Sequence, residues 1–269
     1  MYNAAKLFVL AAVIAALSAC SSDNSRRNAA AALVDEARSL SEAHMYDSAL
    51  VVLDTLNVRY RDCLDERREG TLVRLSALAS LSRDSLAAAE IQLRAVTSVI
   101  DSLSPIFTKV DVAGTEGYYV EKSIYSGDEM GTSGIQVRVD DQGYCFVVAN
   151  VEGRSIGLNS ISFGEISTPP LQSVKVENSE IMSVTQEPAT KLLDALAAGN
   201  DKTTVNLVGT KGKISVAVSA KQRRAIADTW EYARALQRQR LLNIRLEKLE
   251  RQIARLSDQL ANQIPIDEE

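Results

Sequence analysis

The sequence predicts an α+β protein: an N-terminal helical hairpin, then an antiparallel coiled-coil stalk carrying an inserted, mainly-β head. Three observations carry that reading. Residues 27–104 hold one glycine, Gly70, and no proline, and are rich in Ala, Leu, Arg and Glu, which is helix composition. Residues 106–219 have the opposite character, with frequent glycine and alternating β-branched, aromatic and polar residues. Two apolar heptad seams lie on either side of that β-rich stretch. The 269 residues suffice for one large domain or two modest ones.

The elements follow in chain order. Leu7 to Leu17 is an unbroken apolar run after a single positive charge, Lys6. Its eleven residues suit an export signal and fall short of the roughly 20 a spanning helix needs. It ends in Leu17-Ser18-Ala19-Cys20. An aliphatic residue, two small residues and a cysteine in this place resemble the lipobox of bacterial lipoproteins. The resemblance implies removal of residues 1–19, palmitate-type acylation of Cys20, and attachment to a membrane through that lipid. The competing reading is an ordinary signal peptide with a chance cysteine. Ser21 after the cysteine points, by sorting in one group of Gram-negative bacteria, to the outer membrane over the inner one. Residues 20–27 then read as a polar tether.

Residues 28–104 are expected to form the hairpin and an ascending helix. Leu33, Ala37 and Leu40 share one face of the first helix; Ala49, Leu50, Leu53, Leu56 and Tyr60 step along the second. Glu42 to Met45 reads as the turn between them. The pair resembles one tetratricopeptide hairpin, at Leu33, Ala37, Tyr46, Ala49 and Leu53. It departs at His44, where glycine is usual, and at Arg61, where the closing proline is usual. One repeat cannot bury its own faces, so a hairpin packed on another element is the expectation. Leu86, Ala89, Leu93, Val96, Ile100 and Leu103 then form a heptad seam, closed by Pro105.

Residues 106–219 are expected to be the head. Hairpins are predicted at 135–148, turning at 140–143, and at 205–218, turning at 209–212. Further strands are expected at 107–112, 117–125, 155–163, 171–176 and 180–184, with a short helix at 188–198. Residues 221–263 form the returning helix, its seam Leu242, Leu246, Leu249, Ile253, Leu256 and Leu260. Two stripes in one chain are natural antiparallel partners across a compact insert, leaving oligomerisation through the coiled coil as the competitor. Trp230 and Tyr232 are placed to plug the junction of head and stalk.

Composition narrows the function. Net charge −5 argues against nucleic acid as a partner. His44 is the sole histidine, in a predicted turn, so His-based nucleophilic catalysis and His-rich metal sites have no base to draw on. No phosphate-binding glycine loop occurs. Asp140-Asp141 and Asp128-Glu129 lack calcium-loop spacing and read as turn residues. No catalytic residue, metal site or cofactor is expected. Cys63 and Cys145 are expected to be buried thiols, a disulfide between them being the lesser alternative. Tyr118, Tyr119, Tyr125 and Tyr144 could form an exposed ligand platform or pack within the sheet. Asp-(Ser/Thr)-aliphatic triplets at 47, 54, 84 and 101 resemble the O-glycosylation acceptor of Bacteroidota. They also arise from a solvated pair beside a core-facing residue. The expected function is a membrane-anchored, non-enzymatic interaction or scaffold lipoprotein with a protein partner. The alternative is a lipoprotein whose β head captures a glycan or peptide.

Overall fold

The computed structural model describes residues 23–111, 117–125, 130, 132–199 and 201–263. The lipobox with Cys20, and the Asp128-Glu129 pair, lie outside the described residues. The protein is α+β, and its two longest helices flank the strands in sequence. It divides into two compact units, 23–88 with 247–263, and 89–246.

The first unit is helical. Helices α1 (Asp23–Glu42), α2 (Tyr46–Arg59) and the start of α3 (Leu64–Leu103) enclose Val34, Ala37, Ala49, Leu53, Leu56, Cys63 and Val73. Helix α1 begins at Asp23, so residues 23–27 are helical where a tether was expected. Arg26 explains the extension: its guanidinium donates to the Asp62 carboxylate at 2.7 and 2.8 Å and to Arg59 O at 2.8 Å. Helix α2 stops at Arg59, earlier than the pattern of apolar residues suggested. The α1–α2 turn puts His44 at φ +57°, the left-handed region that glycine enters without strain. Its ring Nδ1 lies 2.7 Å from Asp84 Oδ2, and the Tyr46 hydroxyl donates to the same oxygen at 2.8 Å. These contacts tie the turn to α3. Gly70 is the crossing point of α2 and α3: a Cβ there would meet Leu56 Cδ2 at 2.6 Å and Leu53 Cδ2 at 3.3 Å. Leu256, in the tail of the last helix, is buried in this unit.

The second unit holds the strands. β1 (Phe107–Val110), β2 (Tyr118–Glu121), β3 (Gly134–Val139), β4 (Cys145–Glu152), β7 (Val174–Val176) and β8 (Ser179–Thr185) form an antiparallel sheet ordered β1-β2-β3-β4-β8-β7. β5 (Leu158–Phe163), β6 (Ile166–Ser167), β9 (Thr203–Gly209) and β10 (Gly212–Val218) form a second sheet ordered β10-β9-β5-β6. Both predicted hairpins are present, β3 with β4 and β9 with β10. Helix α4 (Gln186–Ala197) packs across β4, β5 and β8. Its Leu192, Leu193 and Leu196 are fully buried, each contributing about 1.5–3 kcal/mol by leaving water.

One strand, β5, begins later than the sequence expectation. A strand was expected over 155–163, but β5 starts only at Leu158. Residues 155–158 instead bend around Glu180. Its carboxylate, on a residue 3% exposed, accepts from Ile156 N at 2.9 Å, Gly157 N at 3.1 Å and Leu158 N at 2.9 Å. The Ser155 and Ser173 hydroxyls complete the cradle at 3.2 and 2.8 Å. Burial opposes the charge, the five donors outweigh it, and the acid is held below its usual pKa. β8 and β5 belong to different sheets, so Glu180 joins the two.

The last helix, α5 (Ala220–Ala261), leaves the head. Within the second unit, Gln239 Nε2 donates to Thr97 Oγ1 at 3.2 Å. Ile100 and Leu103 pack against the core that holds Ile226, Trp230 and Ala233. The rising end of α3 thus meets the falling start of α5, an antiparallel arrangement. Every residue of both heptad seams is buried or half-buried. Tyr232 stacks on Phe107 with centroids 4.5 Å apart, and Trp230 Nε1 donates to Asp194 Oδ1 at 2.8 Å. Both residues lie in the head's core, as expected of a plug.

Candidate functional site

The site is built on the β3–β4 turn. Asp140 Oδ1 accepts from Gln142 N at 2.9 Å and Tyr144 N at 2.8 Å, a side-chain-closed turn. Asp141 accepts from Lys109 Nζ at 2.7 Å. The Asp140-Asp141 pair is therefore spent on the turn and on an ion pair. Gly143 follows at φ +85° and lies flush on α5. A Cβ there would stand 2.7 Å from Gln237 N and 2.8 Å from Ala233 O. Both the dihedral and the close approach demand glycine.

That docking brings Tyr144 beside α5. Arg240 lies over its ring, 5.3 Å from the centroid, and donates to the Tyr144 hydroxyl at 3.3 Å and to Gln142 Oε1 at 2.8 Å. Across from them, the end of β8 and the first turn of α4 present Thr185, Gln186, Glu187 and Thr190. Gln186 and Gln237 exchange two amide hydrogen bonds, at 3.1 and 2.6 Å. Gln186 Oε1 also accepts from Cys145 N at 3.0 Å. The walls enclose an open cleft of about 600 Å³, within the range of small-molecule sites. It offers a guanidinium, amides, hydroxyls, one carboxylate and the aliphatic Leu241. A second cleft of about 500 Å³ lies between α3 and α5, bordered by Val96, Val99, Trp230 and Arg234.

The four tyrosines do not form a common platform. Tyr118 and Tyr119 are consecutive in β2 and so face opposite sides of the sheet. Tyr118 is buried, edge-on to Phe146. Tyr119 packs edge-on to Tyr232, Tyr125 packs on the small Val110–Tyr118–Val120 cluster, and only Tyr144 is largely exposed, at 48%. Cys63 and Cys145 are free and buried in separate units, so no bridge joins them. Burial pushes the Cys145 thiol up to about 12 and raises that of Cys63. The third residue of each Asp-(Ser/Thr) triplet faces inward: Ala49 and Leu56 are buried, Leu86 and Leu103 half-buried.

Sequence reasoning named Tyr144 but missed Gln186, Glu187, Thr190, Gln237 and Arg240 as its neighbours. They come from distant segments. The available signal was local to α5, where Leu241 and Ile244 are apolar yet lie off the heptad seam and are 64% and 51% exposed. Comparison with known proteins adds no relative: no family model matches the chain, and neither the curated proteins nor the solved structures give a match.

Proposed function

We propose that the protein is a lipid-anchored, non-enzymatic interaction or scaffold protein of the bacterial cell envelope, held in the membrane by acylated Cys20. The observation that carries the reading is Leu17-Ser18-Ala19-Cys20 placed straight after an eleven-residue apolar run. Several acyl chains give firm attachment, since each buried CH₂ contributes about 0.8 kcal/mol. No described helix is long and apolar enough to cross a membrane. An anchor on Cys20 supplies the attachment that the described helices do not.

The cleft at Tyr144 supports the interaction half of the proposal. Its guanidinium, amides and hydroxyls are groups that hold a partner by hydrogen bonds. It also supports the peptide form of the second reading, in which the head captures a glycan or peptide. Fractionation of cells carrying Cys20→Ala tests the anchor. The variant should leave the membrane fraction or accumulate as the uncleaved precursor. Unchanged, processed, membrane-bound protein would refute lipidation at Cys20.

A further inference from the structure

The cleft continues onto an unusual stretch of α5. Tyr232 to Leu246 carries four arginines, Arg234, Arg238, Arg240 and Arg245, and no carboxylate, in a chain of net charge −5. Among the described residues none of the four sits in an ion pair. Arg240 donates only to the neutral Gln142 and Tyr144 side chains. A guanidinium gains most from a carboxylate, which it holds through two parallel bonds.

Apolar groups stand beside that charge. Leu241 borders the cleft, and Ile244 lies one turn further on the same helix face, both largely exposed. Leu241 and Ile244 together form a contiguous apolar patch beside the charged cleft wall, and contiguous exposed apolar patches rimmed by polar groups mark interaction sites. Gln237, Arg240, Leu241 and Ile244 follow i, i+3, i+4, i+7 spacing and form one continuous strip.

We infer that this strip and the cleft at its head end bind a peptide segment of a partner protein that presents a carboxylate next to aliphatic side chains. The carboxylate pairs with Arg240, the aliphatic groups cover Leu241 and Ile244, and Glu187 on the opposite wall accepts from a peptide N–H. Charge complementarity selects the acidic partner. A neutral glycan is disfavoured because it would need a bare aromatic face, and Arg240 already lies over Tyr144. A flat bilayer is disfavoured because the arginine lies at a concave wall.

The inference rests on the interaction reading above, and its test is read in solution on the full chain carrying Cys20→Ala, so failure of the anchor does not disturb it. A phage library of random dodecapeptides is selected on this protein and on the same protein with Arg240→Glu, an exposed position, after circular dichroism shows that the variant is folded. Selected peptides are synthesised with fluorescein and titrated. The expected result is a consensus of Asp or Glu within a few positions of Leu, Ile or Val. Binding should weaken at least tenfold with Arg240→Glu and with Ile244→Ser, and again between 0.05 and 0.5 M NaCl. No consensus, a consensus without acids, or equal binding by the Arg240→Glu protein would overturn the proposal. Sedimentation with phosphatidylglycerol vesicles that is abolished by Arg240→Glu, without any peptide consensus, would assign the strip to a lipid surface and overturn it too.

Discussion

Replacing Glu180 by Gln should destabilise the head by about 2–4 kcal/mol at pH 7. The carboxylate accepts five hydrogen bonds, three from backbone N–H groups. A glutamine of the same shape keeps one oxygen, which can serve Leu158 N and the Ser173 hydroxyl at the Oε1 position. Its NH₂ then faces Ile156 N and Gly157 N, donor against donor. Each buried donor left unpaired costs about 1–3 kcal/mol; Ile156 is buried but Gly157 only half-buried, so the two together cost about 2–4 kcal/mol. For a unit of this size that is a fall in Tm of roughly 4–16 °C. Trp230 is the sole tryptophan and lies in the same unit, so its fluorescence in a urea titration reports the transition. The pH dependence gives a second check. The folded-state pKa of Glu180 lies below its unfolded value, so its contribution is complete above the unfolded value of about 4.5. It is lost as pH falls through the folded value. The gap between wild type and Glu180→Gln should therefore narrow below pH 4.5. A variant within 0.5 kcal/mol of wild type at pH 7, or a gap unchanged by acid, would refute the cradle as a stabilising device.

Further outcomes follow from the same packing. Gly143→Ala should lower stability by about 1–3 kcal/mol, through strain at positive φ and overlap with α5; thermal melts followed by Trp230 fluorescence check it. Neither Cys63 nor Cys145 should react with a thiol reagent at pH 8 in the folded protein, since both are buried with raised pKa; both should react in urea. Cysteines placed at 93 and 242, one step along the stalk from the Thr97–Gln239 pair, should cross-link within one chain. Cross-linking only between chains would replace the folded-back stalk by an oligomer.

The helices and the stalk were legible because their information is local and periodic. Leu86 to Leu103 and Leu242 to Leu260 repeat every three and four residues, and Pro105 marks the end of the first seam. The two hairpins were legible from their turns. The division of the ten described strands into two sheets was not, because β4–β8 and β5–β9 join residues far apart in sequence. Glu180 illustrates the limit: in the sequence it is an acid at the edge of a strand, and its donors lie more than twenty residues upstream at Ile156 and Leu158. The opposite facing of Tyr118 and Tyr119 could have been read from strand alternation. Arg240 looked like one more charged flank of a coiled coil, and nothing local to it revealed that Gly143 would carry Tyr144 to its side.

The mass of the mature N-terminus tests attachment through Cys20 most directly. Protein extracted from membranes is digested, and its N-terminal peptide is measured by mass spectrometry. Lipidation at Cys20 predicts a peptide beginning at Cys20 whose mass exceeds the unmodified sequence by diacylglyceryl and fatty-acyl groups. A peptide that begins elsewhere, or that carries an unmodified Cys20, would contradict it.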